Sequence, residues 1–498
     1  MKLKTFAPFL VGLVLLLTSC SGNNNKEILK LTNEKTLGIV KFNIDDVIKK
    51  LPKEQILADT IKKFSNSDKE FRLFVRADEL GIDTDEPFYI TTESEKDKFI
   101  TSYVFWLDDE VLFLKKFKEI YSKELTIDYS KNLVYSGKKV FGAFKDGIFV
   151  MSQKSYDPYT SRAREYDYYY EDEYEYEEED MSVSEDFYKN FFTRKALEDE
   201  NVLDNIDTAL KEDKDASVWI NLHGIVSNVT KGYIETLAIN KLLIGSGFGL
   251  NLNFEEGKIE CKAESFFNED MKKIVEKYYE DKEVNYDIVK NVELDNAILY
   301  GIGYFSTDFV KYFIKEAGFE ATANKYLESK NITLEDIFST FNGQYAVVNY
   351  KEITTKKLSY DGSSYYDYKQ PNTLIVFGIN KDKSKKVMDL LNEPFLNLGD
   401  KLYTNDKVLA FTSESSNLNL FKTNKNAKNT KLNKVTGVNS YSYGNGKELN
   451  ESMGSNLKNK IEEMISTSKI NDGNALSEIT ISFEKKDKNI LHYIIGYE

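Results

Sequence analysis

The sequence predicts an α+β fold of two similar tandem halves, each a largely antiparallel sheet with helices packed on one face. Three observations lead there. One unit recurs: an apolar strand, a polar residue able to cap, then an amphipathic helix. The order of these units repeats along the chain, and each run closes on a segment that reads as a hairpin. A doubly wound parallel sheet would alternate strand and crossover helix without such hairpins.

The recurring unit stands at residues 37–51 (LGIVKFNIDDVIKKL), 100–120, 216–229 (ASVWINLHGIVSNV), 297–313 (AILYGIGYFSTDFVKYF) and 373–391 (TLIVFGINKDKSKKVMDLL). Asp45, Asp108, Thr307 and Asp382 are the expected caps, because a short side-chain oxygen can accept from a free amide of the first turn. Residues 88–152 run strand (FYITTE), strand and helix, then short strands through LVYSG, VFGAF and GIFVMS. Residues 343–413 run strand (GQYAVVNY), strand and helix, then KLYTN and VLAFTS. The closing hairpins are expected in LNLNFEEGKIECKAESFF, turning at residues 255–258, and in ITISFEKKDKNILHYIIGY, each preceded by a helical segment at 233–244 and 457–465. The halves are placed at residues 27–285 and 286–498.

The N-terminus has its own grammar. Lys2 and Lys4 precede an apolar run at residues 6–17, the pattern of a signal peptide and too short to span a bilayer. It ends in Leu17-Thr18-Ser19-Cys20, which resembles a bacterial lipobox, so residues 1–19 are expected to leave and Cys20 to carry diacylglycerol, two or three acyl chains of the palmitate type in all. Acyl chains contribute about 0.8 kcal/mol per buried methylene and would hold the chain at a membrane. Residues 20–26 then form a polar tether. The expected location is the cell envelope at the outer membrane, with the periplasmic or surface face left open.

Composition narrows the partners. The 498 residues carry a formal charge of −15, which becomes −17 once Lys2 and Lys4 leave with the signal, so nucleic acid is not an expected partner. Apart from Cys20 the only cysteine is Cys261, which cannot form an internal disulfide or a thiolate cage. Alternation in Ile259-Glu260-Cys261-Lys262-Ala263 puts that thiol on the apolar side of a strand.

Several segments bear a superficial likeness to reactive motifs. Gly245-Ser246-Gly247-Phe248-Gly249 follows a helix and leads into a strand, the reverse of a phosphate-binding turn. Ser136 with Lys139, and Ser466 with Lys469, match a serine-lysine spacing, a chance match in a lysine-rich chain. The two histidines, His223 and His492, lie in or beside apolar strands and are assigned to packing. Residues 165–180 (EYDYYYEDEYEYEEED) hold ten carboxylates and are expected to stay extended in a disordered loop at about 155–185. No built metal site is expected, and Glu171, Asp172, Glu173, Glu177 and Asp180 are the weak Ca²⁺ candidates, since the run lacks the glycine of a Ca²⁺ loop. Tyrosine clusters at 360–368 (YDGSSYYDY) and 441–443 read as low-complexity loops whose rings could stack on sugars or proteins.

The lipobox, the opening strand at 37–42, the segment Leu80-Gly81-Ile82-Asp83 before Pro87-Phe88-Tyr89-Ile90, and the hairpin at 250–266 together resemble the Bacteroidetes-type lipoproteins grouped as domain of unknown function 4836. The resemblance implies an envelope lipoprotein with this fold over most of the mature chain, and carries over no catalytic or binding residue. The expected function is non-enzymatic binding or scaffolding by a lipid-anchored envelope protein, without cofactor, whose partner is an envelope protein or a glycan. A glycan-binding accessory lipoprotein and a carboxylate-dependent hydrolase of envelope polymers are the alternatives.

Overall fold

In the computed structural model, which describes residues 32–52, 76–96, 98–121, 124–156, 181–195, 197–212, 214–359, 363–391, 393, 398–453 and 459–494, the strands join into one antiparallel sheet. The first run supplies β1 (Thr36–Phe42), β2 (Phe88–Glu95), β3 (Lys98–Trp106), β4 (Leu125–Asp128), β5 (Leu133–Ser136), β6 (Lys139–Lys145), β7 (Ile148–Tyr156), β8 (Ala216–Asn221), β9 (Gly247–Glu255) and β10 (Lys258–Phe266). The second supplies β11 (Leu299–Tyr304), β12 (Phe341–Leu358), β13 (Tyr365–Ile379), β14 (Leu402–Thr404), β15 (Val408–Thr412), β16 (Ser440–Asn445), β17 (Ile461–Asn471) and β18 (Asn474–Phe483).

Pairing gives the order β4-β5-β6-β7-β3-β2-β1-β8-β9-β10, and β10 then pairs with β18. The order continues β18-β17-β16-β11-β12-β13-β15-β14. The run from β6 to β10 and the run from β14 to β18 therefore follow one connectivity, meeting at the β10–β18 ladder. Both ends of the sheet are short strands, β4 and β14, which limits edge-to-edge association.

Helices follow the apolar spacing. The first run carries α1 (Ile44–Lys50), α2 (Glu110–Tyr121), α3 (Glu185–Phe191), α4 (Glu200–Lys211), α5 (Leu222–Val229) and α6 (Glu269–Tyr279). The second carries α7 (Thr307–Glu316), α8 (Glu320–Glu328), α9 (Leu334–Thr340), α10 (Lys385–Leu391), α11 (Asn419–Lys422), α12 (Gly446–Met453) and α13 (Ile490–Ile494). In α4, Val202, Ile206, Ala209 and Leu210 recur at helical spacing and are buried, and Asp199 caps the helix by accepting from the amides of Asn201 and Val202.

The α+β class holds, but helices cover both faces of the first run rather than one. Strand β2 shows the cause, because Phe88, Tyr89 and Ile90 are all buried and so require cover on either side. Phe88 and Ile90 join Ile44 and Val47 of α1, Phe113 and Phe117 of α2 and Leu491 of α13 in one core. Tyr89 joins Tyr188 and Phe191 of α3 and the buried stripe of α4 in another. A third core lies under the second run, with Val348, Leu374, Val376 and Tyr441 beneath Leu418 and Phe421. A fourth brings Met271 and Val275 of α6 against Phe309, Tyr312 and Phe313 of α7, binding the end of the first run to the start of the second.

Three expectations need correction. The strand ITISF is β18, but its hairpin partner is β17, which includes residues expected to be helical, and the segment expected as the partner strand contains the helix α13. Ile461, Met464 and Ile465 imitate helical spacing, yet the two-residue loop Asp472-Gly473, with φ of 47° and 71°, is a primed hairpin turn that fixes the extended pairing. The end of the chain thereby returns to the core of the first run, across the boundary expected at residue 285. The caps are also displaced: Asn43 rather than Asp45 caps α1, Asp109 rather than Asp108 accepts from Leu112 N at the start of α2, and Ser306 rather than Thr307 caps α7. Asp382 sits in a separate 3₁₀ turn, Lys381–Lys383, ahead of α10. The third correction is the two tyrosine clusters: residues from Tyr365 onward belong to β13, and Tyr441 and Tyr443 are buried in β16.

Candidate functional site

The longest hairpin in the sheet is β12–β13, and its outer part reaches beyond the neighbouring strands. Strand β11 pairs with β12 only over Gln344 to Asn349, and β15 pairs with β13 only over Leu374 to Gly378. From Tyr350 and Asn372 outward the two strands pair with each other, as a two-stranded ribbon. Pro371, which lacks an amide hydrogen, lies where the register shifts between Tyr350 and Ile353, a position that asks for no ladder donor. Val347, Val348, Leu374 and Val376 anchor the root, so the ribbon is held by the sheet rather than by its own packing.

The register shift decides which side chains share a face. It inserts one residue in β12, so Tyr350 opposite Asn372 is followed by Ile353 opposite Gln370, Thr355 opposite Tyr368 and Lys357 opposite Tyr366. Asn372, Gln370, Tyr368 and Tyr366 therefore form one file along the face that begins at Tyr350. Tyr366 is 50% and Tyr368 36% exposed. The Lys357 ammonium lies 3.5 Å from the centre of the Tyr368 ring. Tyr365 and Leu358, 69% and 52% exposed, project from the opposite face.

At the root of this file is a cavity of about 510 Å³. Tyr350, Asn372, Asn417 and Glu448 line it, and Leu420 is its one aliphatic wall. The Tyr350 hydroxyl donates to the Glu293 carbonyl at 2.9 Å, and burial raises its pKa well above the usual phenol range. Asn417 Nδ2 donates to Asn372 Oδ1 at 2.7 Å and to Thr412 Oγ1 at 3.0 Å. Lys351 Nζ stands 2.8 Å from Glu448 Oε2 and 2.7 Å from Glu451 Oε2, and these carboxylates hold its ammonium in the charged form. The arrangement offers amide, hydroxyl and carboxylate hydrogen-bonding groups beside a file of aromatic rings.

Two other cavities use their polar groups internally. In one of about 250 Å³, Asn285, Asn342 and Asn405 accept from the amides of Asp287, Gln344 and Lys407, as turn-forming asparagines do. In one of about 360 Å³, the Arg194 guanidinium is paired with Glu93 and stacked 4.4 Å over Phe191.

Of the residues singled out from sequence, Cys20, the tether and the acidic run with Glu171, Asp172, Glu173, Glu177 and Asp180 lie outside the described residues, as do residues 360–362 of the tyrosine segment. Cys261 packs in β10 between Leu252 and Ile479, where burial pushes its thiol up to about 11. His223 is in the first turn of α5 and His492 in α13, so neither lies in a strand. Burial lowers the pKa of His492, with Lys488 adding to the effect. Ser466 and Lys469 are three residues apart in β17, which sends their side chains to opposite faces. Ser136 ends β5 before Gly137. In the Leu80-Gly81-Ile82-Asp83 segment, Gly81 has φ 74° and a Cβ there would lie 2.6 Å from the Asp109 carbonyl, which accounts for the glycine.

One buried charge had no signal in the sequence. The Asp215 carboxylate, 1% exposed, accepts from Lys50 Nζ at 2.6 and 2.7 Å and from Phe254 N at 2.6 Å. Burial raises its pKa, against the pull of Lys50 and the Phe254 amide. This pair ties α1 to the start of β8 and the end of β9, a structural role.

No family model, curated protein or solved structure matches the chain. The likeness to the lipoprotein family thus rests on the quoted segments alone. Among the described residues, no helix is long and apolar enough to cross a membrane.

Proposed function

We propose that this chain is a lipid-anchored cell-envelope protein of the outer membrane that works by binding, without catalysis, and that the β12–β13 ribbon with the cavity at its root is its contact element. The carrying observation is the ribbon. The equivalent hairpin of the first run, β2–β3, has strands of 8 and 9 residues, whereas β12 and β13 have 18 and 15. The extra length adds nothing to the cores, and it carries Tyr365, Tyr366 and Tyr368 into solvent. Exposed aromatic side chains on a well-anchored element favour recognition, because their ordering cost on binding is small.

The shared connectivity of the two runs supports the tandem reading, and the lipobox at Cys20 supplies the anchor. The groups nearest to a catalytic set favour packing: Cys261 is kept protonated, and Ser466 and Lys469 face apart.

The test is capture from detergent-solubilised membranes after cross-linking, comparing the intact chain with one whose residues 352–369 are replaced by a two-residue Asn-Gly turn. A stoichiometric companion recovered by the intact chain and lost with the shortened ribbon is expected. Recovery of the same companions by both chains, or of none by either, would refute it.

A further inference from the structure

We infer that the face running from Tyr366 through Tyr368 and Gln370 to Asn372, and on into the cavity at the ribbon root, is a binding site for a neutral linear glycan. The inference rests on the ribbon being the contact element and adds the chemistry of what it contacts.

Shape is the first argument. Four side chains on alternate positions of one strand span about 20 Å at roughly 3.3 Å per residue, a straight file suited to an extended chain rather than a compact solute. A tyrosine ring has an electron-rich face, which attracts the polarised C–H bonds on the flat side of a pyranose. Tyr366 and Tyr368 supply two such rings with substantial exposure. Lys357 across the ladder from Tyr366 holds the neighbouring ring of Tyr368, so that part of the ordering cost is met before any ligand arrives.

The character of the cavity points the same way. A protein hot spot is desolvated around aromatic and aliphatic anchors, whereas this cavity has Leu420 as its one aliphatic wall and is otherwise lined by groups that hydrogen-bond. Asn372 and Asn417 already exchange a hydrogen bond, which fixes the two amides relative to one another. A carbohydrate hydroxyl both donates and accepts, and a paired set of amides beside the Glu448 carboxylate can answer both.

Charge is the third. Lys351, at the cavity, is answered by Glu448 and Glu451. A polyanion entering there meets two carboxylates whose lysine is already engaged, and a neutral glycan leaves that arrangement in place.

The experiment uses the full chain in detergent micelles, titrated in a calorimeter with maltohexaose, cellohexaose, mannohexaose and xylohexaose, and with oligogalacturonate as the anionic comparison. At least one neutral hexasaccharide is expected to bind, and oligogalacturonate is not. The double variant Tyr366→Ala, Tyr368→Ala is expected to weaken binding about tenfold, and Tyr366→Phe, Tyr368→Phe to keep it within about threefold, because the stack uses the ring and not the hydroxyl. Both pairs of substitutions are on an exposed ribbon, and unchanged circular dichroism will verify folding. Binding by none of the neutral sugars, binding that ignores the alanine pair, or preference for the anionic sugar overturns the inference. If the membrane capture yields a ribbon-dependent protein while no sugar binds, the glycan assignment falls and the contact role of the ribbon stands. If shortening the ribbon changes nothing captured, the contact role itself falls.

Discussion

Replacing Lys50 with Met is expected to destabilise the protein more than replacing Asp215 with Asn, although both remove the same ion pair. The difference follows from where each partner can go. Lys50 is 29% exposed, so its ammonium can swing into water once the Asp215 charge is gone, and the introduced amide would still present an oxygen to Phe254 N. The expected loss for Asp215→Asn is about 1.5–3 kcal/mol, that of a hydrogen bond to a charged group. Asp215 is 1% exposed and cannot reach water, so Lys50→Met strands a carboxylate with the Phe254 amide as its main remaining donor, at about 3–5 kcal/mol.

The pH dependence separates this from simple loss of packing. Burial already raises the Asp215 pKa in the folded protein, and removing Lys50 raises it further. The folded state of Lys50→Met then takes up a proton at a pH where the unfolded chain, titrating near about 3.9, does not. Its deficit should therefore shrink as pH falls from 7 towards 5. Urea unfolding followed by fluorescence is the assay, because both tryptophans, Trp106 and Trp219, lie in the first run and Trp219 is on β8, four residues after Asp215. Equal losses, the reverse ranking, or a deficit that does not respond to acid would refute the reasoning.

Two further expectations follow from single positions. In a Cys20→Ser chain, alkylation of Cys261 by iodoacetamide should be slow at pH 8 and rise with a midpoint near the thiol's pKa of about 11; labelling at pH 8 as fast as that of a free thiol would contradict its burial. The unfolded thiol titrates near its ordinary value of 9.0, so stability that depends on the neutral form is complete below pH 9 and is lost between 9 and 11, on the order of 2 kcal/mol relative to Cys261→Ala. Gly473→Ala should lower stability by about 1–3 kcal/mol, since its φ is 71° and a Cβ would lie 2.8 Å from the Lys272 backbone; a thermal midpoint equal to wild type would rule out the primed turn.

Much of the sheet could be read from local pattern. Strands such as β2 and β3, and the β9–β10 hairpin, are bounded by turns within a few residues of their partners, so alternation and turn chemistry suffice. The failures have local causes too. Asn43 and Ser306 displaced the expected caps because several capping residues stand side by side, and the winner is the one whose backbone is still non-helical where the chain enters the helix and whose side chain reaches an amide of the first turn. Strand β17 carries Ile461, Met464 and Ile465 at a spacing that also suits a helix, although Asp472-Gly473, the strongest local hairpin signal, stands at its end. Helices on both faces of the first run could not be inferred from any one strand in isolation, since a run such as Phe88-Tyr89-Ile90 says only that both sides are covered.

The candidate site was legible in composition and illegible in arrangement. Tyr366 and Tyr368 were visible as a cluster, but the glycine and serines beside them favoured a loop. What turns the cluster into a site is the single extra residue between Tyr350 and Ile353, because a one-residue change of register exchanges the two faces of a strand. With the bulge, Thr355 and Lys357 stand opposite Tyr368 and Tyr366, on the same face as Tyr350 and the cavity. Without it, Thr354 and Lys356 would take those places, Lys357 would leave the Tyr368 ring, and the aromatic file would lose its support. The root of the hairpin is held by β11 and β15, and the shift falls just beyond that contact, a placement that no local window of sequence displays. The proposed recognition chemistry thus depends on a property of the assembled sheet, with the side chains contributing only once that sheet has put them on one face.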